Sequence, residues 1–361
     1  AKVKNPLMLL DEIDKVSNDY RSDTSSALLE VLDGEQNSHF VDHYIDMPVD
    51  LSEILFIATA NDLSEVSRPL LDRMEIIEVS SYTKNEKLHI AKEHLVAKQL
   101  KKNGLTKKSV RFTDKALAKI IDGYTMEAGV RELERMIAAV LRKVVRKNYT
   151  VGGVNIEKQI VITDKNLSEY LGKVKFIKEK ASRKNEVGIV RGLAWTAAGG
   201  DTLEIEVNVL GGKPELILTG NMGDVMRESA QIALSYVRSV VRKNQIFEEN
   251  AIHIHIPEGA VPKDGPSAGI TMATAIYSAV TGKPVDASTA MTGEVTLRGR
   301  VMPIGGLKEK LLAAKTAGLK RVLVPLENKS DVEELEEEIV QGLEIVYVSD
   351  MKEVLKLAIV K

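Results

Sequence analysis

The sequence predicts a multidomain protein of mixed α/β and α+β class, with strand-containing regions at both ends and a mainly helical region between them. Apolar strands alternate with helices over residues 1–82. Apolar residues then recur at helical spacing over 83–172, and strands and helices alternate again over 187–361. The segment 173–186 is rich in lysine and poor in apolar residues, so it is predicted to be a linker.

The individual elements follow from the spacing of apolar residues in each region. The first region is predicted to hold strands at 7–10 and 54–60 and a helix at 25–32. The middle region is predicted to hold helices at 86–100, 114–122, 129–147 and 164–171, and a short strand pair between 149 and 162. The last region is predicted to hold strands at 201–210, 215–218, 252–256, 321–324 and 343–348, and helices at 224–242, 267–280, 331–338 and 351–359.

Composition excludes several classes of function. The chain has no cysteine, which rules out thiol catalysis, disulfides and cysteine-based zinc sites. Its formal net charge of -2 argues against a protein whose main role is to grip nucleic acid. No apolar run is long enough to span a membrane, and no signal peptide opens the chain, so we predict a cytoplasmic protein without a membrane partner. The chain begins in a strand without an initiator Met, and we expect it to be part of a longer protein.

Polar side chains follow both strands predicted in the first region. Asp11 and Glu12 come directly after the first strand, and Asn61 follows the second. Ligands of open α/β sheets bind at the carboxyl ends of the strands. Asp11 is therefore a candidate Mg²⁺ ligand, and Glu12 is a candidate for polarising the water that attacks a nucleotide phosphate. The alternative interpretation of the carboxylates is a solvated strand end.

Ser267 lies in the segment Pro262-Lys-Asp-Gly-Pro-Ser-Ala-Gly269, where Gly265 and Pro266 predict a tight turn at the start of an apolar helix. The first turn of a helix offers free backbone N–H groups and the positive end of the helix dipole. The N–H groups of Ser267 and a neighbouring residue could therefore stabilise an oxyanion. The alternative interpretation is that Ser267 only caps the helix.

Lys310 lies in the segment Gly305-Gly-Leu-Lys-Glu-Lys-Leu-Leu312. On a helical wheel it falls between Ala314 and Ala317, on the apolar stripe of its helix. Burial lowers the pKa of a lysine, so the neutral amine becomes available as a base near neutral pH. A serine hydroxyl needs such a base to act as a nucleophile. Ser267 and Lys310 are therefore predicted to form a Ser-Lys catalytic dyad.

These segments resemble those of a known family. The segment 262–269 and the segment Thr292-Gly-Glu-Val-Thr-Leu-Arg-Gly299 are similar to the proteolytic site of the ATP-dependent, A-type Lon proteases. The rest of the chain resembles the AAA+ ATPase module joined to that site. The resemblance implies that 1–82 is part of the AAA+ large α/β domain, 83–172 its small helical domain and 187–361 the proteolytic domain.

Position by position, the resemblance also assigns roles in the ATPase half. Asp11 and Glu12 resemble the Walker B pair, Asn61 the sensor-1 residue and Arg131 the sensor-2 arginine. Arg73 resembles the arginine finger, which acts on nucleotide bound by a neighbouring subunit. The implied cofactors of the full-length protein are ATP and Mg²⁺, with Asp11 as the Mg²⁺ ligand, and peptide-bond cleavage itself requires none. No Gly-x-x-x-x-Gly-Lys-Ser/Thr motif occurs in the sequence, so we expect this chain by itself to bind ATP weakly or not at all.

Further residues are predicted to support the dyad. Thr292 is expected to hydrogen-bond the Lys310 amine and aim it at Ser267, or else to be a strand threonine without a role. The alternating pattern of the strand 252–256 places two histidines on the face opposite its isoleucines, near the active site. With no third ligand evident, a metal site on these histidines is disfavoured. The supporting residues are Thr292, Asp264, Glu294, Glu206, His253 and His255, of which the acidic ones are modulators or solvated charges.

The sequence thus predicts an ATP-dependent serine endopeptidase that degrades unfolded, misfolded and regulatory proteins. The resemblance implies a homo-hexameric ATPase ring that unfolds polypeptide and threads it to the proteolytic site. The alternative is a non-proteolytic AAA+ remodelling ATPase or chaperone that uses the same fold as an assembly platform. A nucleic-acid-binding ATPase is a second alternative. Weak DNA binding is an implied partner property, but the basic clusters at 101–108 and 142–147 are better interpreted as solvated helix surface.

Overall fold

A computed structural model describes the protein at residues 2–16, 24–42, 44, 46–77, 79, 81–150, 153–154, 156, 158–176, 184–196, 199–241 and 244–360. The chain divides into two compact units, Ala1–Ser80 and Ser81–Lys361. Both combine helices and strands, as the mixed class predicted from the sequence requires. Among the described residues, no helix is both long and apolar enough to cross a membrane.

The first unit is built around a pair of parallel strands. Its elements are β1 (Leu7–Leu10), α1 (Thr24–Val31), β2 (Phe40–Asp42), β3 (Met47–Val49), β4 (Leu55–Ala58) and α2 (Arg68–Leu71). β1 pairs with β4 in parallel register, so both strands end at the same edge of the pair. The antiparallel pair of β2 and β3 was not predicted from the sequence. Several apolar side chains of the central pair are exposed, among them Leu7, Leu9 and Leu55.

The second unit begins with a mainly helical region. Its elements are α3 (Lys84–Ile90), a π-helical turn (Ala91–Leu95), α4 (Val96–Lys102), β5 (Val110–Phe112), α5 (Asp114–Gly123), α6 (Arg131–Lys147), β6 (Tyr149–Thr150), β7 (Gly153–Val154), β8 (Ile160–Ile162) and α7 (Leu167–Leu171). Thr83 caps α3 through a reciprocal pair of hydrogen bonds with Glu86. The apolar faces of these helices form their own core, which includes Ile120, Leu133 and Ile137.

The remainder of this unit is organised by a seven-stranded mixed sheet. Its strands are β9 (Ile189–Thr196), β10 (Gly199–Gly211), β11 (Leu216–Thr219), β12 (Asn250–His255), β13 (Thr289–Met291), β16 (Arg321–Pro325) and β17 (Glu344–Val348), in the order β11-β12-β10-β9-β13-β16-β17. A separate hairpin pairs β14 (Glu294–Val295) with β15 (Val301–Met302). The helices are α8 (Asp224–Val240), α9 (Asn244–Glu248), α10 (Gly269–Thr281), α11 (Leu307–Thr316), α12 (Lys329–Glu333), α13 (Glu337–Val340) and α14 (Met351–Ala358).

Helices cover both faces of this sheet. α10 belongs to a core that contains Met291 and Leu323, whereas α11 belongs to a core that contains Ala290 and Val322. Because successive side chains of a strand point to opposite faces, these two cores lie on opposite sides of the sheet. α10 is mostly apolar, and ten of its thirteen residues are buried, as expected for a helix packed between a sheet and a second helix, here α8.

Two of the predicted elements are arranged differently in the structure. The strand pair predicted between 149 and 162 is only the short hairpin of β6 and β7, and β8 instead pairs in parallel with β5. Parallel partners are distant in sequence and leave no local turn signal, which is why the pattern missed this pairing. In place of the predicted helix 331–338 there are two short helices. α12 ends at Glu333 and α13 begins at Glu337, so residues 334–336 separate them.

Candidate active site

Ser267 lies in a single 3-10 turn, Pro266–Ala268, that leads directly into α10. Gly265 has φ +120, a conformation that residues with a side chain rarely adopt, which explains why glycine precedes Pro266. The Ser267 side chain is half-buried. The predicted turn and helix are therefore present, and they leave the hydroxyl at the start of a buried helix.

The backbone around Ser267 has the donors that an oxyanion site needs. Among the backbone hydrogen bonds that the described residues make outside their own helices and strands, none has the N–H of Ser267 or Ala268 as donor. The Ser267 carbonyl oxygen, in contrast, accepts from the N–H of Gly293 at 2.8 Å. This bond fixes the turn against the segment after β13. N–H groups in the first turn of a helical segment are the ones that can bind a carbonyl oxygen developing negative charge, and those of Ser267 and Ala268 lie in such a turn.

The loop before Ser267 is held by two adjacent side chains. The Lys263 ammonium group is buried and donates to the carbonyl oxygens of Glu258 and Val261, at 2.7 and 3.1 Å. The Asp264 carboxylate accepts from the N–H groups of Met226 and Gly265, both at 2.9 Å. Met226 lies in the first turn of α8, so Asp264 caps that helix from another part of the chain. The structure thus gives Asp264 a supporting contact.

Lys310 is buried, with 3% of its surface exposed, although it is a lysine. α11 packs against β9 and β10, and its residues Leu307, Leu311 and Ala314 belong to the same apolar core. Burial lowers the pKa of the Lys310 amine to about 8, and the neighbouring Glu309 carboxylate acts in the opposite direction. The position predicted from the helical wheel is the one observed. At neutral to mildly alkaline pH a useful fraction of this amine is unprotonated.

Strand β9 contacts both halves of the predicted dyad, since it touches the Pro266–Ala268 turn and also α11. Among the described residues, no hydrogen bond joins the Ser267 hydroxyl to the Lys310 amine. Catalytic hydrogen bonds are often long without substrate and tighten on binding. The fully buried Thr292 donates its hydroxyl to the Ser267 carbonyl oxygen at 3.4 Å. Its predicted hydrogen bond to Lys310 is not among those of the described residues and stays a prediction.

The remaining supporting residues lie along the sheet and the β14 hairpin. Glu206 is the cross-strand partner of His255, and the hydroxyl of Thr219 lies 2.9 Å from Nε2 of His253 and 2.7 Å from Nδ1 of His255. Both histidines are on the face opposite the buried isoleucines, as predicted. No cluster of three metal-ligating side chains occurs among the described residues. Glu294 is half-buried at the start of β14.

In the first unit, the carboxylates after β1 meet the end of β4. The Thr59 hydroxyl donates to Asp11 at 2.5 Å and accepts from the N–H of Glu12 at 3.0 Å. Glu12 itself has φ 57, a left-handed conformation that is uncommon for residues other than glycine. Asp11, Glu12 and Asn61 are all exposed at this shared edge. The structure thus brings Asp11 and Glu12 against Thr59, just after β4, and the predicted approach of Asn61 stays a prediction.

The two predicted arginines have different surroundings. The guanidinium of Arg73 pairs with Asp33 at 3.1 Å and donates to the carbonyl oxygen of Pro69 at 2.9 Å. The N–H of Glu35 and the Arg73 guanidinium both lower the pKa of Asp33. Arg131 is exposed at the start of α6 and lines an open cavity of about 590 Å³ together with Tyr82 and residues 126–130.

Several residues with structural roles at these sites were missed from the sequence, namely Thr59, Ser229, Lys263 and Thr219. Ser229 of α8 is buried and donates to the carbonyl oxygen of Pro266 at 3.4 Å. Thr59, Ser229 and Thr219 are small polar residues whose partners are distant in the chain, so local sequence patterns carry no signal for them. Lys263 is the exception, because a lysine inside a Gly/Pro-rich catalytic segment could have been examined for burial.

Three family models match the chain. The Lon protease (S16) C-terminal proteolytic domain matches residues 161–361, which contain Ser267, Thr292 and Lys310. The Lon protease AAA+ ATPase lid domain matches residues 101–153, and the ATPase family associated with various cellular activities (AAA) matches residues 1–82. The region with the Ser267 and Lys310 segments is therefore similar to Lon proteolytic domains, and the region with Asp11 and Glu12 is similar to AAA ATPases.

Curated relatives extend this similarity over the whole chain. A Lon protease of Lachnoclostridium phytofermentans is 59% identical over 399 aligned positions, which cover 100% of this chain and 49% of the relative. A Lon protease of Bacillus thuringiensis is 57% identical and is covered over 45% of its length. Lon protease 1 of Bacillus subtilis is 54% identical over 99% of this chain and 46% of its own length. The chain thus spans about half the length of the curated relatives it matches.

Proposed function

The chain belongs to the Lon protease family, and on this premise we propose that it carries the serine endopeptidase site of an ATP-dependent protease. The observation that carries the proposal is Lys310. A buried lysine whose pKa is lowered to about 8 occurs on a helix that packs on the same strand as the Ser267 turn. A purely structural helix gains nothing from such a residue, because burying an amine costs free energy.

The chemistry follows from these residues. Ser267 Oγ attacks the carbonyl carbon of the scissile peptide bond while its proton passes to the neutral Lys310 Nζ. The N–H groups of Ser267 and Ala268 stabilise the resulting oxyanion. The protonated Lys310 then donates to the leaving amine, which leaves an acyl-enzyme on Ser267. Water that loses its proton to Lys310 cleaves the acyl ester and restores the hydroxyl.

The proposed domain organisation keeps the predicted boundaries. Residues 1–82 form part of an AAA+ large domain, 83–172 the small helical domain, 173–186 a linker and 187–361 the proteolytic domain. The separate apolar cores of the helical region and of the sheet support a boundary between them. The linker is only partly supported by structure, because residues 177–183 lie outside the described residues. The proteolytic family model begins earlier, at residue 161.

The residues after β1 fit a magnesium nucleotide, because Asp11, Glu12 and Asn61 present exposed oxygen atoms at one edge. Asp11 would hold Mg²⁺, with the Thr59 hydroxyl fixing its orientation. Glu12 would accept a proton from water, and Asn61 would orient that water. ATP, when bound, would supply the free energy for unfolding substrate. Arg131 keeps its proposed sensor-2 role, and Arg73 would leave Asp33 to contact nucleotide bound by a neighbouring subunit.

The proposed partners are unfolded polypeptides as substrates and further copies of the same chain in a homo-hexameric ring. A cytoplasmic location and weak DNA binding complete the proposal. The match to a proteolytic domain over residues 161–361 favours the protease over the remodelling ATPase or chaperone. A non-proteolytic protein that used this fold only as an assembly platform would also need neither Ser267 nor a buried Lys310.

The proposal is tested by cleavage of casein and of a short fluorogenic peptide by this chain. The variants are Ser267→Ala and Lys310→Ala, with Lys315→Ala as the matched control, because Lys315 is an exposed lysine on the same helix. We expect both dyad variants to lose at least about 100-fold in rate, as general-base catalysis contributes that much or more. The control should retain the rate of the unaltered chain.

Light scattering on the same samples supplies the assembly state. A folded hexamer without activity, or a Lys310→Ala variant with full activity, would contradict the proposed dyad. Activity lost only in the dyad variants would establish it and show that peptide-bond cleavage does not need ATP.

A further inference from the structure

The start of the second unit makes two side-chain hydrogen bonds to the helices beside the sheet, and one of them reaches α11, the helix that carries Lys310. The Ser81 hydroxyl donates to Glu309 Oε1 at 2.8 Å, and the side-chain amide of Asn85 donates to Glu338 Oε1 at 2.6 Å. Both donors lie at the start of the second unit, before and within the first turn of α3. Glu309 immediately precedes Lys310 in α11, whereas Glu338 lies on α13. The first bond therefore ends one residue from the predicted base, and the second does not.

The backbone at Glu309 and Lys310 is fixed from a second side. A Cβ atom added to Gly200 would lie 1.8 Å from the Glu309 carbonyl oxygen and 3.1 Å from the Lys310 nitrogen, so strand β10 lies directly against this point of α11. Strand β10 prevents the backbone of α11 from moving towards the sheet. The Ser81 hydroxyl, at the start of the second unit, holds the Glu309 side chain by a hydrogen bond. The orientation of Glu309 is thus set by two different parts of the unit.

Glu309 also acts electrostatically on Lys310. Burial lowers the pKa of the Lys310 amine, and the Glu309 carboxylate is the charge that raises it. Adjacent positions on a helix do not face each other, so this is an effect across space and not an ion pair. Other charged residues occur on the strands and helices packed against α11, namely Arg191, Asp201, Glu204 and Glu206 on β9 and β10, and Lys329, Asp331, Glu333, Glu337 and Glu338 on α12 and α13.

The residue after Ser81 belongs to the cavity that contains Arg131. Tyr82 lines this cavity, and its N–H donates to the carbonyl oxygen of Ala128, which also lines it, at 3.1 Å. A displacement of this cavity wall would therefore move Ser81 with it, since the two residues are joined by one peptide bond. The path from the cavity to the base consists of Tyr82, Ser81, Glu309 and Lys310.

We propose that Glu309, held by Ser81, is a positioning residue that tunes the Lys310 base and links it to the Arg131 cavity of the helical region. This inference rests on the proposed function, because it assumes that Lys310 activates Ser267. It predicts that the position of Ser81 changes the pH at which Ser267 becomes reactive. A merely structural contact between the helical region and α11 would change stability but not that pH.

The test measures the rate at which Ser267 is labelled by a fluorophosphonate probe, as a function of pH, by intact mass. Labelling joins Ser267 Oγ to phosphorus, releases fluoride and transfers the serine proton to the base, so its acid limb reports the protonation of Lys310. The variants are Glu309→Gln, Ser81→Ala and the double variant. Asn85→Ala is the matched control, because it removes the other hydrogen bond between the helical region and the sheet region.

We expect Glu309→Gln to shift the acid limb to lower pH by roughly half a unit or more, because a charge that favours the protonated amine is removed. Ser81→Ala should shift it in the same direction by less, since the released carboxylate becomes better solvated. The double variant should match Glu309→Gln, and Asn85→Ala should leave the limb in place. Equal profiles for Ser81→Ala and Asn85→Ala, or an unmoved limb in Glu309→Gln, would overturn the inference.

The proposed function can fail separately in the same experiment. Labelling of Ser267 that persists in Lys310→Ala, or that is absent from the folded unaltered chain, contradicts the dyad and removes the basis of the inference with it. Labelling that depends on Lys310 but not on Glu309 or Ser81 leaves the dyad intact and contradicts only the positioning role.

Discussion

Lys310 shows how the surroundings of one side chain decide its chemistry. The helix 307–316 contains four lysine or glutamate side chains, and of these four only Lys310 is buried. Its pKa is lowered to about 8 because the apolar face of α11 excludes water from the amine. The sequence pattern was sufficient to identify this residue, since burial on a helix follows a fixed period.

The pH dependence of peptide cleavage should follow Lys310. The amine acts as a base only when neutral, so kcat/KM should fall about tenfold per pH unit well below the pKa of about 8 and level off above it. Lys310→Arg should be inactive throughout, because a guanidinium stays protonated. Rates with a fluorogenic peptide between pH 6 and 10 measure this. An acid limb centred near pH 6 would mean that another group is the base.

The same residue should limit stability. The pKa of Lys310 is about 8 in the folded chain against 10.5 for an unperturbed lysine, which corresponds to roughly 3 kcal/mol of destabilisation below pH 8. Because the folded pKa is the lower one, this cost is full below pH 8 and disappears as pH rises towards 10.5. Lys310→Met should therefore raise the free energy of unfolding by about 1–3 kcal/mol at pH 7 and by less at pH 10.

Fluorescence of Trp195 during urea unfolding measures this change, since it is the only tryptophan and lies on β9, in contact with Gly306 at the start of α11. A less stable Lys310→Met variant at pH 7 would show that the amine makes stabilising contacts instead.

At the scale of elements, the site depends on a few close approaches of backbone. Ser267 lies in the 3-10 turn that leads into α10, and its carbonyl oxygen accepts a hydrogen bond from Gly293, after β13. The backbone of α11 lies against Gly200, at the start of β10. These contacts join segments that are distant in the chain. α10, which follows Ser267, and α11, which carries Lys310, lie on opposite faces of the sheet. The predicted pairing of Ser267 with Lys310 was therefore inferred from chemistry and family resemblance, not from topology.

Gly200→Ala should separate α11 from β10. The new Cβ would lie 1.8 Å from the Glu309 carbonyl oxygen, so one backbone must shift, at a cost of about 1–3 kcal/mol for overpacking. We expect at least a tenfold loss of kcat/KM with secondary structure retained by circular dichroism. Gly211→Ala on the same strand is the control, because its nearest neighbour is 3.9 Å away. Equal activities of the two variants would contradict the role of this contact.

At the scale of the whole molecule, the two units differ in how well their strands are covered. Strands β9, β12 and β13 lie inside a seven-stranded sheet with helices on both faces, whereas β1 and β4 form a two-stranded pair with exposed apolar side chains. A strand is protected from solvent by its neighbours and by the layers that cover it. The described part of the first unit provides few of either.

Hydrogen exchange should show this difference directly. We expect the amides of residues 7–10 and 55–58 to exchange on the order of 100-fold faster than those of residues 252–256 and 289–291, because local opening of the first unit exposes little buried surface. Mass spectrometry of peptides from the labelled chain measures the rates. Comparable protection of both sets would contradict this difference between the two units.

The sequence by itself determined the class of fold, the turn that carries Ser267, the burial of Lys310, and the placement of Asp11 and Glu12 after β1. These features follow from local rules, namely the periods of helices and strands, turn chemistry and the burial of one helix face. Only the tertiary structure decided the pairing of β5 with β8, the contact of Thr292 with Ser267, the contact of Asp264 with Met226, and the bond from Ser81 to Glu309. Each of these depends on residues brought together from distant parts of the chain, and such contacts leave no periodic signal because they follow from how the packed elements meet.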